Sequence, residues 1–296
     1  MRLKWFLLGC VITAGLIFLG IIAVAGVTAL LGDRPLMAGT GVGLVEVKGM
    51  ILDPQGTVKQ LRDFAKADNI KAVVLRIDSP GGVVGPSQEI YAEVKKLAAK
   101  KKVIVSMGSV AASGGYYIAA PASLIFANPG TITGSIGVLM KFSNMEGLMG
   151  KVGLRVFTIK TGKFKDVGSP ARPMTEEERA MLQGVIDSTH GQFVRAVAEG
   201  RKLPPEMVRG IADGRIFSGE QALALKLVDR IGTLQDAIEE AGRLGGIKGE
   251  PEVIRPPKKK EKLLDYLMGE STTRLGDLVR SERGLSLNYE FEGGGQ

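Results

Sequence analysis

The sequence predicts an α/β fold on a parallel sheet, preceded by one N-terminal transmembrane helix. Three observations carry this. Trp5 to Leu31 contains no charged residue. Between about residues 43 and 127, short apolar runs alternate with amphipathic stretches of helical period. The Gly-rich clusters 78–82 and 111–115 each follow an apolar run, as turns do at the carboxyl ends of parallel strands.

The uncharged run would make a helix of roughly 40 Å, long enough to cross a bilayer with tilt. Arg2 and Lys4 precede it, and Asp33, Arg34 and Glu46 follow. The positive-inside rule places the N-terminus in the cytoplasm and the remainder outside the cytoplasmic membrane. A cleaved signal peptide has a much shorter apolar core, about 7–15 residues, so an uncleaved anchor is expected. Cys10 is the sole cysteine, which excludes an intrachain disulfide.

The 296 residues carry a formal charge of +8, which by itself hints at anionic lipid or nucleic acid. The lysine runs at 100–102 and 258–260 are short and lack interleaved aromatics. They suit a solvated surface or lipid headgroups, and no nucleic-acid partner is expected.

Gly32 to about Thr40 reads as a linker. Gly43–Lys48 alternates apolar and polar residues and reads as a strand. Val58–Ala67 reads as a helix, and Ala72–Ile77 as a buried strand ending at the breaker cluster Asp78-Ser79-Pro80-Gly81-Gly82. Ser87–Ala99 is expected to be helical, Val103–Met107 a strand, Ser113–Ala119 a helix and Leu124–Ala127 a strand. Such alternation implies parallel βαβ units with right-handed crossovers.

Met174 to about Gly200 reads as a long helix, with Thr175 as N-cap and Glu178 completing a capping box. Ser218–Leu225 and Leu234–Gly242 read as shorter helices. From Pro256 a charged linker begins, followed by an amphipathic stretch near Leu263–Met268. Residues 256–296 are expected to form a tail that orders only on docking. Its segment Leu285–Phe291 alternates side chains in a way that suits strand addition on a sheet edge.

The chemistry centres on Ser113, in Ala111-Ala112-Ser113-Gly114-Gly115. A serine there stands where backbone N–H groups and a helix dipole favour developing negative charge. It could instead be an ordinary N-cap. Gly81-Gly82 lets backbone approach a ligand closely. The N–H groups of Gly82 and Gly114 would then form a two-donor oxyanion hole for acyl transfer. His190 is the sole histidine, so the base is expected to be a lysine. A lysine must be neutral for that role, which requires a pKa well below about 10.4. Lys163 and Lys165 are the candidates.

The ordered stretches 76–82, 111–117, Thr133-Gly134-Ser135-Ile136-Gly137-Val138, Thr161-Gly162-Lys163-Phe164-Lys165-Asp166 and 213–219 carry a resemblance. Over roughly residues 40–250 the chain resembles the short, single-repeat bacterial signal peptide peptidase A family of membrane-bound Ser-Lys peptidases. The first two stretches also resemble turns of the Clp protease/crotonase-like fold, with its repeated ββα units. The resemblance implies a peptidase domain at 41–255, Ser113 as nucleophile, Lys165 as base, and Ser135 as the residue that orients the lysine. It further implies no cofactor or metal, peptide substrates such as remnant signal peptides, and a homo-oligomer. By the same resemblance the oligomer is an octamer in which serine and lysine come from neighbouring protomers, and the C-terminal tail can be processed and occupy the substrate groove. Two other readings share parts of the pattern: a crotonase-like acyl-CoA hydratase or isomerase, and a non-catalytic membrane scaffold.

Overall fold

The strands of the sheet read as nearly unbroken apolar runs because helices cover both faces. The computed structural model describes Gly15, Leu19, Gly20, residues 39–257 and residues 288–290. The expected anchor Trp5–Leu31 therefore lies outside the described residues apart from those three positions, as do the linker before Gly39 and the amphipathic stretch 263–268. Among the described residues no helix is long and apolar enough to cross a membrane.

In chain order the elements are β1 (Gly41–Lys48), α1 (Gln55–Lys66), β2 (Ile70–Ser79), β3 (Gly81–Val83), α2 (Val84–Ala98), β4 (Lys102–Ala112) and α3 (Gly114–Ala119). Then come β5 (Leu124–Ala127), β6 (Ile132–Gly134), α4 (Glu146–Lys151), α5 (Glu176–Arg201) and α6 (Pro205–Arg209). The described chain closes with β7 (Ile216–Phe217), α7 (Gly219–Ala224), β8 (Arg230–Ile231), α8 (Leu234–Leu244), β9 (Glu252–Ile254) and β10 (Asn288–Glu290).

The main sheet has the order β7-β6-β4-β2-β1-β9, with β5 beside β4 and β8 beside β5. Its pairings are parallel except β6–β7. This mixed α/β architecture with a largely parallel sheet agrees with the expected class.

Side-chain alternation along β1 sorts the two faces. Val42 and Leu44, with Ala72, Val74, Ile104 and Phe126, meet Ala237, Ile238 and Ala241 of α8. The spacing 234, 237, 238, 241 is one helical stripe. Gly43 points the other way, where the Phe64 ring of α1 lies so close that a Cβ would sit 2.6 Å from it.

The expected Thr175/Glu178 capping box is borne out, and the helices expected near Ser218 and Leu234 start there. Thr175/Glu178, Ser218/Gln221 and Thr233/Asp236 each form a reciprocal capping box. Each satisfies two otherwise unpaired backbone donors.

Several elements start two or three residues earlier than expected, among them β1, α1, β2 and α2. Two other differences bear on the site. β4 continues past Met107 to Ala112, because it bulges against β2. Ile77 faces Met107, yet Ser79 faces Ala111, so β4 carries extra residues there. Asp78 closes the bulge: its Oδ1 accepts from the Val110 N–H at 3.1 Å. Its carboxyl carbon lies 2.7 Å from where a Cβ of Gly108 would stand. The 78–82 cluster is also no full stop. The chain passes through Pro80 in extended form and resumes at once as β3, with φ of 111° at Gly81 and 157° at Gly82.

β3 forms a separate antiparallel pair with β10, in the register Val83–Asn288, Gly82–Tyr289 and Gly81–Glu290. Asn288 also exchanges two backbone hydrogen bonds of 3.2 Å with Leu139. The tail strand thus lies between β3 and the chain at Leu139.

Candidate active site

Ser113 stands between the end of β4 and the first residue of α3, with φ 52° and ψ −117°. A non-glycine residue with positive φ is strained by about 1–3 kcal/mol and persists only where its surroundings impose it. Here its N–H donates to the Gly134 carbonyl at 2.8 Å, and its own carbonyl accepts from Tyr117 N–H at 2.8 Å. The side chain makes no cap hydrogen bond. Ser113 thus occupies the N-cap position of α3 without capping it through its side chain. Ser113 is 1% exposed.

Ser135 follows Gly134 directly and has the same unusual backbone, φ 51°. Its N–H donates to Arg215 O at 2.8 Å, and it too is buried. The Gly134 carbonyl thus ties one strained serine to the neighbour of the other. Neither hydroxyl has a hydrogen-bond partner among the described residues.

The glycine turn packs against the same point. A Cβ at Gly114 would stand 3.2 Å from both Gly82 N and Gly81 Cα, and 2.8 Å from Ser87 Oγ. At Gly81 a Cβ would lie 2.8 Å from Gly114 N and would collide with the Tyr289 carbonyl. At Gly82 it would collide with Ile51 backbone. These positions admit no side chain. Two buried serines hold the turn's shape: Ser79 Oγ accepts from Gly81 N–H at 3.1 Å, and Ser87 Oγ donates to Val83 O at 2.9 Å.

Tyr289 of the tail strand is fully buried beside this turn. Its ring stacks on Tyr117 at 5.1 Å between centroids and meets Phe193 at 4.7 Å. Its hydroxyl donates to Thr189 O at 3.3 Å. Burial pushes the Tyr117 phenol up to about 12 and raises Tyr289 as well. Both stay neutral at physiological pH, and neither can serve as a base.

Lys165 is placed differently. It lies on an exposed turn after Gly162, and its ammonium has no partner among the described residues. No described contact joins it to Ser113. Lys163 is bound to Glu177 at 3.0 and 3.1 Å, and Lys160 to Asp166. The segment around them exposes large apolar side chains, with Phe157 at 86% and Ile159 at 102%.

The chain thus brings Ser113, Ser135, Gly82 and Gly114 together and leaves Lys163 and Lys165 apart. Sequence reasoning missed the Tyr117–Phe193–Tyr289 cluster. Nothing in a linear pattern links residues so far apart. It also missed Ser79 and Ser87, whose burial is a tertiary property.

A profile of peptidase family S49 matches residues 95–248, and a Clp protease profile matches residues 49–128. The slr0021 protein of Synechocystis sp. is 48% identical over 223 residues, which are 73% of this chain and 80% of that protein. Protease 4 of Salmonella typhi is 36% identical over 224 residues, 72% of this chain and 36% of its own length. The chloroplastic serine protease SPPA of Arabidopsis thaliana is 32% identical over 262 residues, 86% of this chain and 39% of its own. The chain therefore spans well under half of these last two relatives. The S49 profile runs through the strained turn at Ser113, and one relative is matched over most of its length. The chain accordingly belongs to peptidase family S49 and is a serine peptidase.

Proposed function

We propose that Ser113 and Lys165 form a Ser-Lys dyad that hydrolyses peptide bonds in extended, apolar segments. Remnant signal peptides at the outer face of the cytoplasmic membrane are the substrate class, and Trp5–Leu31 is the anchor. Membership in a serine-peptidase family favours this over acyl-CoA chemistry and over a non-catalytic scaffold.

The observation that carries the reading is the tail strand. A peptide segment pairs with β3 so that the Tyr289 carbonyl lies against Gly81, beside the Gly114 amide. A substrate bound in this way would present a carbonyl to the N–H groups of Gly82 and Gly114. Ser113 Oγ attacks that carbonyl carbon while neutral Lys165 takes the hydroxyl proton. The two N–H groups stabilise the oxyanion. The tetrahedral intermediate collapses as Lys165 returns the proton to the leaving amine. Water then hydrolyses the acyl-enzyme by the same route, and Ser135 orients the lysine.

The base is assigned to Lys165 because the family resemblance places the lysine immediately before Asp166. Lys163 and Lys160 are engaged by Glu177 and Asp166, and among the described residues Lys165 has no such partner. Lys165 makes no contact with its own Ser113, so the site is completed in trans by the partner copy in a homo-oligomer. The exposed apolar residues 148–159 supply a contact surface for that copy. The tail strand is read as a substrate-like occupant of the groove, with Tyr289 in an aromatic pocket.

The test is cleavage of a synthetic signal peptide, followed by mass spectrometry. Ser113→Ala and Lys165→Ala should each be inactive, and mixed oligomers of the two should regain activity. Activity in either variant alone overturns the dyad. Two inactive variants without complementation would place the lysine in cis.

A further inference from the structure

The lysine turn is short of apolar burial. Residues 160–165 are all exposed, so hydrophobic packing does not fix where Lys165 points. A different device holds this segment. Arg172 donates to Asp166 with Nε at 3.0 Å and Nη2 at 2.8 Å. The same guanidinium turns its other edge to Glu178, with Nη1 to Oε2 at 2.9 Å and Nη2 to Oε1. It also donates to Pro173 O at 3.0 Å through Nη1. Asp166 is the residue next to Lys165. Glu178 is the capping-box residue of α5, where its Oε2 also accepts from Thr175 N–H at 2.9 Å.

One arginine therefore bridges the lysine turn to the first turn of a 26-residue helix. The Glu178 side chain is only 3% exposed, Asp166 12% and Arg172 29%. This is not a solvated surface pair of negligible effect. The helix N-terminus further favours the Glu178 carboxylate. The geometry needs a planar fork with donors on two edges, which a lysine ammonium lacks. Lys160 on Asp166 and Lys163 on Glu177 add outer ties to the same frame.

We propose that Arg172 is a positioning residue for Lys165, acting through Asp166 and Glu178 to aim the lysine turn from the start of α5. This rests on the reading of Lys165 as the base. Arg172 itself touches no reacting atom. Its effect is to hold the amine at the distance and orientation proton transfer demands, where misplacement by about 1 Å costs on the order of a hundredfold.

The experiment uses the full chain in detergent, with a synthetic signal peptide as substrate, and the variants Arg172→Lys, Arg172→Met and Lys165→Ala. Arg172→Lys retains charge and is the variant expected to fold. It should lower kcat by about tenfold or more, with KM within about twofold of wild type. Arg172→Met should show the same pattern more strongly. Wild-type kcat in Arg172→Lys, even with a lowered Tm, would overturn the proposal. That result beside an inactive Lys165→Ala defeats the positioning role alone. An active Lys165→Ala defeats the base assignment, and the positioning role falls with it.

Discussion

Tyr289 places its backbone carbonyl in the space that a side chain on Gly81 would need. The two residues are far apart in the chain and meet in an antiparallel strand pair. The tail's docking and the glycine turn's shape are thus one geometric condition.

Gly81→Ala should break that condition. The alanine would carry φ 111° and press on Gly114 N. The cost to stability should be about 1–3 kcal/mol, read from the urea midpoint at constant m. Turnover should fall by about a hundredfold, because the Gly114 N–H is pushed out of line. A variant with wild-type kcat would remove this turn from the oxyanion site.

Ser113→Gly should be inactive yet more stable than wild type. Glycine relieves the strain at φ 52°, offset partly by its greater freedom in the unfolded chain. A net gain of about 1 kcal/mol is expected in chemical denaturation. Ser113→Ala keeps the strain and should lose activity without that gain.

Tyr289→Ala should free the groove. It removes a fully buried ring and its contacts with Tyr117 and Phe193. Competition between tail and substrate lowers apparent substrate affinity by the fraction of open sites. Apparent KM for an added peptide should therefore fall by about tenfold, with kcat unchanged. An unchanged KM would mean the tail does not compete.

Acid should loosen the lysine turn late and steeply. Hydrogen bonds from Arg172 hold the Glu178 carboxyl down to about 2 and Asp166 well below the ordinary carboxylate range. Both values are depressed by folding, so their stabilisation is complete above the unfolded value, about pH 4.5. It is lost as pH falls through the folded values. Tm should be level between about pH 7 and 5 and drop below about pH 4. In Arg172→Met the acid drop should be smaller, because the unfavourable burial of those carboxylates is already present at neutral pH. A wild-type acid limb in that variant would exclude the pair from acid stability.

The alternation of strands and helices was legible because each element has its own hydrophobic period, and 3.6 or 2 residues can be read locally. The Thr175/Glu178 capping box was legible for the same reason: donor and acceptor lie three residues apart. The extent of β4 was not, since the bulge depends on the Asp78 carboxylate reaching across from a neighbouring strand. The meaning of Ser113 was partly legible. Small residues around it indicate a tight turn, but the bond from its N–H to Gly134 on another strand, which accompanies the positive φ, is tertiary.

By itself the sequence determined the α/β class, the Thr175 capping box and the two glycine turns, and it singled out Ser113. All of these are encoded in contiguous residues. Tertiary structure alone decided that the tail enters β3 beside those turns. It also decided that Lys165 stays apart from Ser113 in one chain, and that Arg172 joins the lysine turn to α5. Such contacts are closed by long loops and side-chain forks, whose partners no local pattern can name.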